Sequence, residues 1–204
     1  MKKAALIIFL VLILDQTLKI WIKLHMTIGE EIPVLGNWFN LYFTENNGMA
    51  FGMEFGGEWG KLSLSIFRIF AVIAIFVYLL IISKRKANGG LIFAVSMIFA
   101  GAIGNIIDSV FYGLIFTSSS YHTVAELTTF GQGYSSFLHG KVVDMLYFPI
   151  INLQQSDAPS WIPSFLFGYD DHFVFFRPIF NIADSAITTG VSWLLIFERK
   201  NLKL

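Results

Sequence analysis

The sequence predicts a mainly α membrane protein, with four transmembrane helices and a small extracytoplasmic β-rich cap. Three observations carry that prediction. Apolar residues other than glycine make up 55% of the 204 residues, and the mean hydropathy is +0.67. Charged residues are only 14%, where a soluble domain carries about 25%. Four stretches have the length, about 20 residues, that a bilayer demands. A soluble domain of this size leaves too much surface wet to hide so many apolar side chains, and the same composition excludes disorder. Residues 1–204 are expected to form a single integral membrane domain.

The first span is expected over residues 4–24. Met1-Lys2-Lys3 before an apolar run resembles the start of a cleaved signal peptide, but the run continues past Asp15 to Ile22 and no small-x-small site follows. An uncleaved first helix is therefore expected. Residues 25–61 form the first outer loop, where alternation over Trp38-Phe39-Asn40-Leu41-Tyr42-Phe43 predicts short strands or a hairpin. The second span covers 62–82, and the third 91–112, joined by the short basic link Ser83–Gly90. Residues 113–178 form a second, long outer loop, the kind of connection that carries function or is an insertion. Its patches Trp161-Ile162-Pro163 and Phe173–Phe176 are expected partly on the membrane surface, since tryptophan favours the headgroup region. The fourth span is expected over 179–197.

Orientation follows from the cations. Lys2, Lys3, Lys84, Arg85, Lys86, Arg199, Lys200 and Lys203 fall on one side, eight of the fourteen basic residues. The positive-inside rule puts that side, with both termini, in the cytoplasm. The formal net charge of zero provides no field to recruit nucleic acid, so none is expected as partner. With no cysteine, disulfides, thiolate metal sites and thiol nucleophiles are excluded. His25, His122, His139 and His172 show no ligand spacing, so neither metal nor other cofactor is expected.

Ionisable groups inside the spans are the informative residues, because each is costly at the bilayer centre unless paired or wetted. They are Asp15, Lys19, Arg68, Asp108 and Asp184. At about 1.5 Å per residue, Asp15 lies roughly 17 Å outward from the start of its span and Asp108 about 26 Å, while Asp184 is about 8 Å below the outer end of the fourth. All five fall in the outer half. Asp15 and Lys19, four apart, can pair on one helix face. Arg68 is expected either to pair with Asp108 or to snorkel outward. Asp184 is then left over, and Asp144 just outside the membrane is another carboxylate among apolar neighbours. Two carboxylates held together in a poorly solvated place share one proton, which suits either water-activating hydrolysis or proton-coupled transport.

The strings around these carboxylates resemble one family. Leu14-Asp15-Gln16-Thr17-Leu18-Lys19 is similar to the D-Q-x-x-K element of lipoprotein signal peptidase (signal peptidase II), and Asn46-Asn47-Gly48-Met49-Ala50-Phe51-Gly52 to its N-x-G-x-A-F element. Gly104-Asn105-Ile106-Ile107-Asp108 resembles G-N-x-x-D, Val142-Val143-Asp144-Met145 resembles V-x-D-F, and Phe180-Asn181-Ile182-Ala183-Asp184 resembles F-N-x-A-D. Five elements in order, at the right spans, make the resemblance specific.

The resemblance implies an aspartic endopeptidase of the bacterial inner membrane. It would remove the signal peptide of a diacylglyceryl-modified prolipoprotein on the amino side of the lipidated cysteine, with membrane lipid as its surroundings and a monomer as the working form. It carries the catalytic roles to Asp144 and Asp184, at a site facing the outer leaflet. Asn46, Gly48, Asn105, Asp108, Asn181 and Ala183 would line or brace that site, with Asp15 and Lys19 supporting it. Physical reasons stand beside each. An asparagine amide both donates and accepts, although a plain helix–helix hydrogen bond is the alternative for Asn105. Gly48 permits a positive-φ turn, and Ala183 leaves room for substrate. Gly101, Gly104 and Asp108 share a face suited to close helix packing.

Three departures stand out. Ser109 replaces the arginine expected after Asp108, so Arg68 or Lys141 is expected to supply that cation. Met145 replaces a phenylalanine. Residues 114–139 and 153–173 read as inserts.

Overall fold

The computed structural model describes residues 1–47, 57–159, 161–168 and 171–200. Gly48 and the following residues of its motif lie outside them. Helix α1 spans Lys2–His25, an apolar run unbroken by Gly or Pro, and ends where Met26 turns extended. Helix α2 spans Gly57–Lys84. Helix α3 covers Gly89–Ile107, starting where the Asn88 side chain accepts from Gly90 N at 3.1 Å. A π turn, Asp108–Tyr112, and a last helical turn, Gly113–Ile115, continue it. Segments Lys2–His25, Leu62–Lys84 and Gly89–Ile115 are long and apolar enough to cross a membrane.

The fourth predicted span is shorter than expected. Helix α4 runs Ile182–Trp193 and is extended by a π turn, Leu194–Glu198. It starts late because Ile179–Phe180 pair as a strand and Asn181 caps the helix. Hydropathy reads those two apolar residues as span, yet their backbone bonds go to a sheet.

Small residues let α3 and α4 approach, as their shared face predicts. A Cβ on Gly101 would strike the Ala183 carbonyl, and one on Gly104 would sit 2.8 Å from Asp15 Oδ2 and 3.1 Å from Ala183 Cβ. Either substitution forces the helices apart.

The predicted hairpin forms from β1 (Glu31–Leu35) and β2 (Phe39–Asn46), turning at Gly36 with φ +53°. Strand β3 is Val142–Tyr147, β4 Ile151–Gln154, β5 His172–Phe175 and β6 Ile179–Phe180. One antiparallel sheet has the order β1-β2-β3-β6, and β4-β5 make a separate pair. Ile22, Met26, Phe43, Tyr112, Phe116, Ala125, Val143 and Met145 form the core between this sheet and the helix ends. Met145 is fully buried there, so its thioether fills the apolar place expected of it.

The two inserts behave differently. Residues 114–139 are docked on the core through Phe116, Ser119 and Ala125, which are buried, while Tyr121, Leu127 and Phe130 stay exposed, and Ile28 N donates to Ser120 O at 2.9 Å. The second insert carries the β4–β5 pair outward, leaving Trp161 79% and Phe165 80% exposed.

Candidate active site

Strand β3 places Asp144 opposite Thr44 of β2. The residue two further along β2, Asn46, shares that face and reaches Asp144 diagonally. Its Nδ2 donates to Asp144 Oδ2, and Asn181 Nδ2 donates to Oδ1 at 2.6 Å. Asp144 is only 4% exposed. Burial, then the neighbouring charge of Asp184, pushes its carboxyl from an ordinary value near 3.8 up to about 7, against the opposing pull of Lys19 and the two asparagine amides.

Asp184 comes from the first turn of α4. Asn181 caps that helix: its Oδ1 accepts from Asp184 N at 2.8 Å, while Asp184 Oδ2 accepts from Asn181 N at 3.4 Å. This reciprocal capping box fixes both side chains at the helix start. Asp184 Oδ1 also accepts from Asn105 Nδ2 at 2.8 Å. Half-buried, it lines a cavity of about 200 Å³ with Arg68, Ala71, Val72, Ala102, Asn105 and Ile187. One asparagine thus joins the two carboxyls. The Asn181 amide bonds Asp144, lies 3.1 Å from Asn105 Oδ1, and holds the start of α4 beneath Asp184.

Beside this pair lies a sealed ionic cluster. Lys19 Nζ sits 3.0 Å from Asp15 Oδ2, 2.8 Å from Asp108 Oδ2 and 3.0 Å from Asn105 Oδ1, every side chain of the ion pairs being inaccessible. Gln16 Nε2 donates to Asp108 Oδ1 at 2.9 Å and to Asp15 Oδ2 at 3.1 Å. Ala183 N donates to Asp15 Oδ1 at 2.8 Å. The cluster therefore clamps α1, α3 and α4 together.

Several expectations are corrected. The cation at Asp108 is Lys19, shared with Asp15, rather than Arg68 or Lys141. Ser109 turns inward and donates to Asn105 O at 3.1 Å. Lys141 lies 3.5 Å from Glu45, and Arg68 interacts electrostatically with Asp184 first and Asp144 second. Asp184 is consequently not a carboxylate left over. Ala183 is fully buried against α3; its smallness serves helix contact, not room for substrate. Asn105 makes a helix–helix hydrogen bond and touches Asp184 as well, so its two expected roles coincide.

Sequence reasoning assigned no role to Gln16, Lys23 or Glu45. Gln16 lies inside a recognisable motif, but Lys23 sits at a span's end, where lysines ordinarily snorkel. Among the described residues no cluster of three or more His, Cys, Asp or Glu side chains is arranged to hold a metal ion.

Two membrane-length helices carry the buried Asp15–Lys19–Asp108 cluster, and beside it Asn181 links Asp144 to Asp184, which lines a small cavity. Together they define a membrane protein with a buried polar centre, not a passive anchor. Comparison with known proteins supplies the particular family. Residues 7–199 match signal peptidase (SPase) II. The lipoprotein signal peptidase of Porphyromonas gingivalis is 45% identical over 205 residues, covering 100% of this chain and 85% of that protein. Its counterpart in Amoebophilus asiaticus is 36% identical, covering 97% and 78%. A bacterial membrane enzyme solved by the in meso method at 2.3 Å resolution is similar at a TM-score of 0.61 and 28% identity, over 100% of this chain and 91% of its own. The chain belongs to the signal peptidase II family and is a membrane-bound bacterial peptidase.

Proposed function

We propose that this peptidase removes the signal peptide from diacylglyceryl-modified prolipoproteins, cutting on the amino side of the lipidated cysteine, with Asp144 and Asp184 as the catalytic pair. The observation that carries the assignment is the Asn181 bridge. It ties together two carboxyls from different elements, one with its proton affinity raised to about 7 and the other facing an arginine and an open cavity.

The chemistry needs only these groups. Asp184, beside Arg68, is the carboxylate that takes a proton from water. Asp144, its proton retained by burial, donates to the scissile carbonyl oxygen as water oxygen bonds to the carbon. The resulting tetrahedral diol collapses when Asp184 passes its proton to the amide nitrogen, the C–N bond breaks, and a diol hydroxyl returns its proton to Asp144. The signal peptide leaves with a new carboxyl, and the lipidated cysteine with a free amine. Asn105, Asn181 and Asn46 orient the two carboxyls. The Asp15–Lys19–Asp108 cluster braces the helices.

In this reading the whole chain is one membrane domain with four spans. Helix α4 with its π turn, about 25 Å long at 1.5 Å per residue, is the fourth, and its shortness is accommodated by local thinning of the bilayer. Both termini are cytoplasmic and the site faces the outer leaflet, so the substrate's acyl chains stay in surrounding lipid. The working form in this reading is a monomer.

The test is cleavage of a diacylglyceryl-modified prolipoprotein in detergent or lipid, with the cut mapped by mass spectrometry. The expected result is cleavage before the modified cysteine by wild type and none by Asp144→Asn or Asp184→Asn. Full activity of either folded variant would overturn the pair. Equal cleavage of unmodified precursor would overturn the lipid requirement.

A further inference from the structure

One buried charged cluster has no part in that mechanism. It lies one helical turn beyond Lys19. Lys23 is fully buried, and its Nζ donates to Glu45 Oε1 at 2.5 Å and to Ser119 Oγ at 3.0 Å. The same ammonium faces the rings of Phe116 and Tyr134, 5.4 and 4.9 Å from their centroids. Ser119 Oγ in turn donates to Glu45 Oε1 at 3.2 Å. Lys141 closes the far side, with Nζ 3.5 Å from Glu45 Oε2 and its backbone N–H donating to Tyr134 OH at 2.7 Å. A single carboxylate therefore ties together α1, the end of β2, the residue before β3, and the 114–139 insert.

A buried ion pair is a poor source of stability, since desolvation cancels most of the attraction. Its value lies in geometry. Glu45 is the next-to-last residue of β2 and opposes Val143, while Thr44 opposes Asp144. Successive strand residues point to opposite faces. Anchoring Glu45 on the inner face thus fixes the strand's rotation and aims Asn46, the last residue, at Asp144. Without the anchor, a strand end is where fraying begins.

We propose that Lys23 and Glu45 are positioning residues for the reaction: seated on the 114–139 insert, they hold the end of β2 so that Asn46 stays bonded to Asp144. The first insert is then part of the catalytic support. This inference rests on the reading of Asp144 as catalytic.

The experiment is a double-mutant cycle on turnover of lipidated prolipoprotein. Wild type, Glu45→Gln, Asn46→Ala, the double variant and a Lys23→Met/Glu45→Gln pair are compared, with Asp144→Asn as control. A displaced catalytic support costs about tenfold to a hundredfold in rate, so Glu45→Gln should lower kcat by that much with KM little changed. Added to Asn46→Ala it should cost nothing further, because both act through one contact. The neutral pair leaves no unpaired buried charge; it should fold with a near-normal Tm and still show the low kcat. If Glu45→Gln fails to fold, the neutral pair takes its place in the cycle. Multiplying losses in the double variant, or wild-type kcat in the folded neutral pair, would overturn the positioning role while leaving the aspartate pair intact. Wild-type turnover by Asp144→Asn would instead overturn the aspartate pair, and this inference with it.

Discussion

Asp15 and Asp108 on one side, and Asp144 and Asp184 on the other, are the same residue type a few ångströms apart in one network, yet their surroundings differ in kind. The first two share one lysine, with both ion-pair partners wholly inaccessible. Among the described residues the second two make no lysine ion pair. They are held by asparagine amides, and Asp184 opens onto a cavity that also holds Arg68. A lysine salt bridge keeps a carboxylate charged and fixed, which suits a clamp between helices. An asparagine amide orients a carboxyl and favours its charged form less strongly than a full cation does, which suits a group that must gain and lose a proton. Asn105 touches both regions, accepting from Lys19 and donating to Asp184, so the clamp's rigidity is passed to the proposed catalytic pair.

Substitutions should separate the two regions. The largest effect is expected from Asp184→Asn and Asp144→Asn, which remove the proposed base and the proposed acid: turnover should fall by about 10⁴-fold, measured under single-turnover conditions. Asp144 gives a stability signature as well. Its proton affinity is raised on folding, so the folded state binds more proton than the unfolded between pH 3.8 and about 7, and stability falls as pH rises through that window. At pH 8, Asp144→Asn should leave Tm unchanged or raised. Lys19→Met should do the reverse, stranding two buried carboxylates at a cost of about 3–5 kcal/mol, read as a lower Tm. Asn181→Ala should cost about 1 kcal/mol through the lost helix cap and lower kcat as well, because Asp144 loses its link to α4. The smallest effect is a pH profile. Activity should decline as pH rises past about 7, where Asp144 loses its proton.

Much of this was legible in the residues, for physical reasons. Strand alternation marked the β1–β2 hairpin, because period-two patterning survives in a sheet with one buried face. Ionisable residues inside apolar runs marked the polar centre, because the bilayer tolerates them only in company. What failed was whatever depends on direction. Hydropathy cannot distinguish Ile179–Phe180 as strand from the same residues as helix, so α4 starts later than expected. One-dimensional depth put Arg68 near Asp108, yet its helix face turns it toward Asp184. Ala183 adjoins Asp184 in sequence, but neighbouring helix residues point in different directions, and it packs against Gly104. Lys23 and Glu45 escaped because each looks ordinary alone: a lysine at a span's end and a glutamate in a polar loop.

The most direct test of the division of labour is a paired measurement of single-turnover cleavage rate and Tm at pH 8 for Asp144→Asn and Lys19→Met, each against wild type. The account predicts that Asp144→Asn loses cleavage and keeps its Tm, while Lys19→Met loses Tm by far the more. Cleavage retained by Asp144→Asn, or a Lys19→Met protein as stable as wild type, would contradict it.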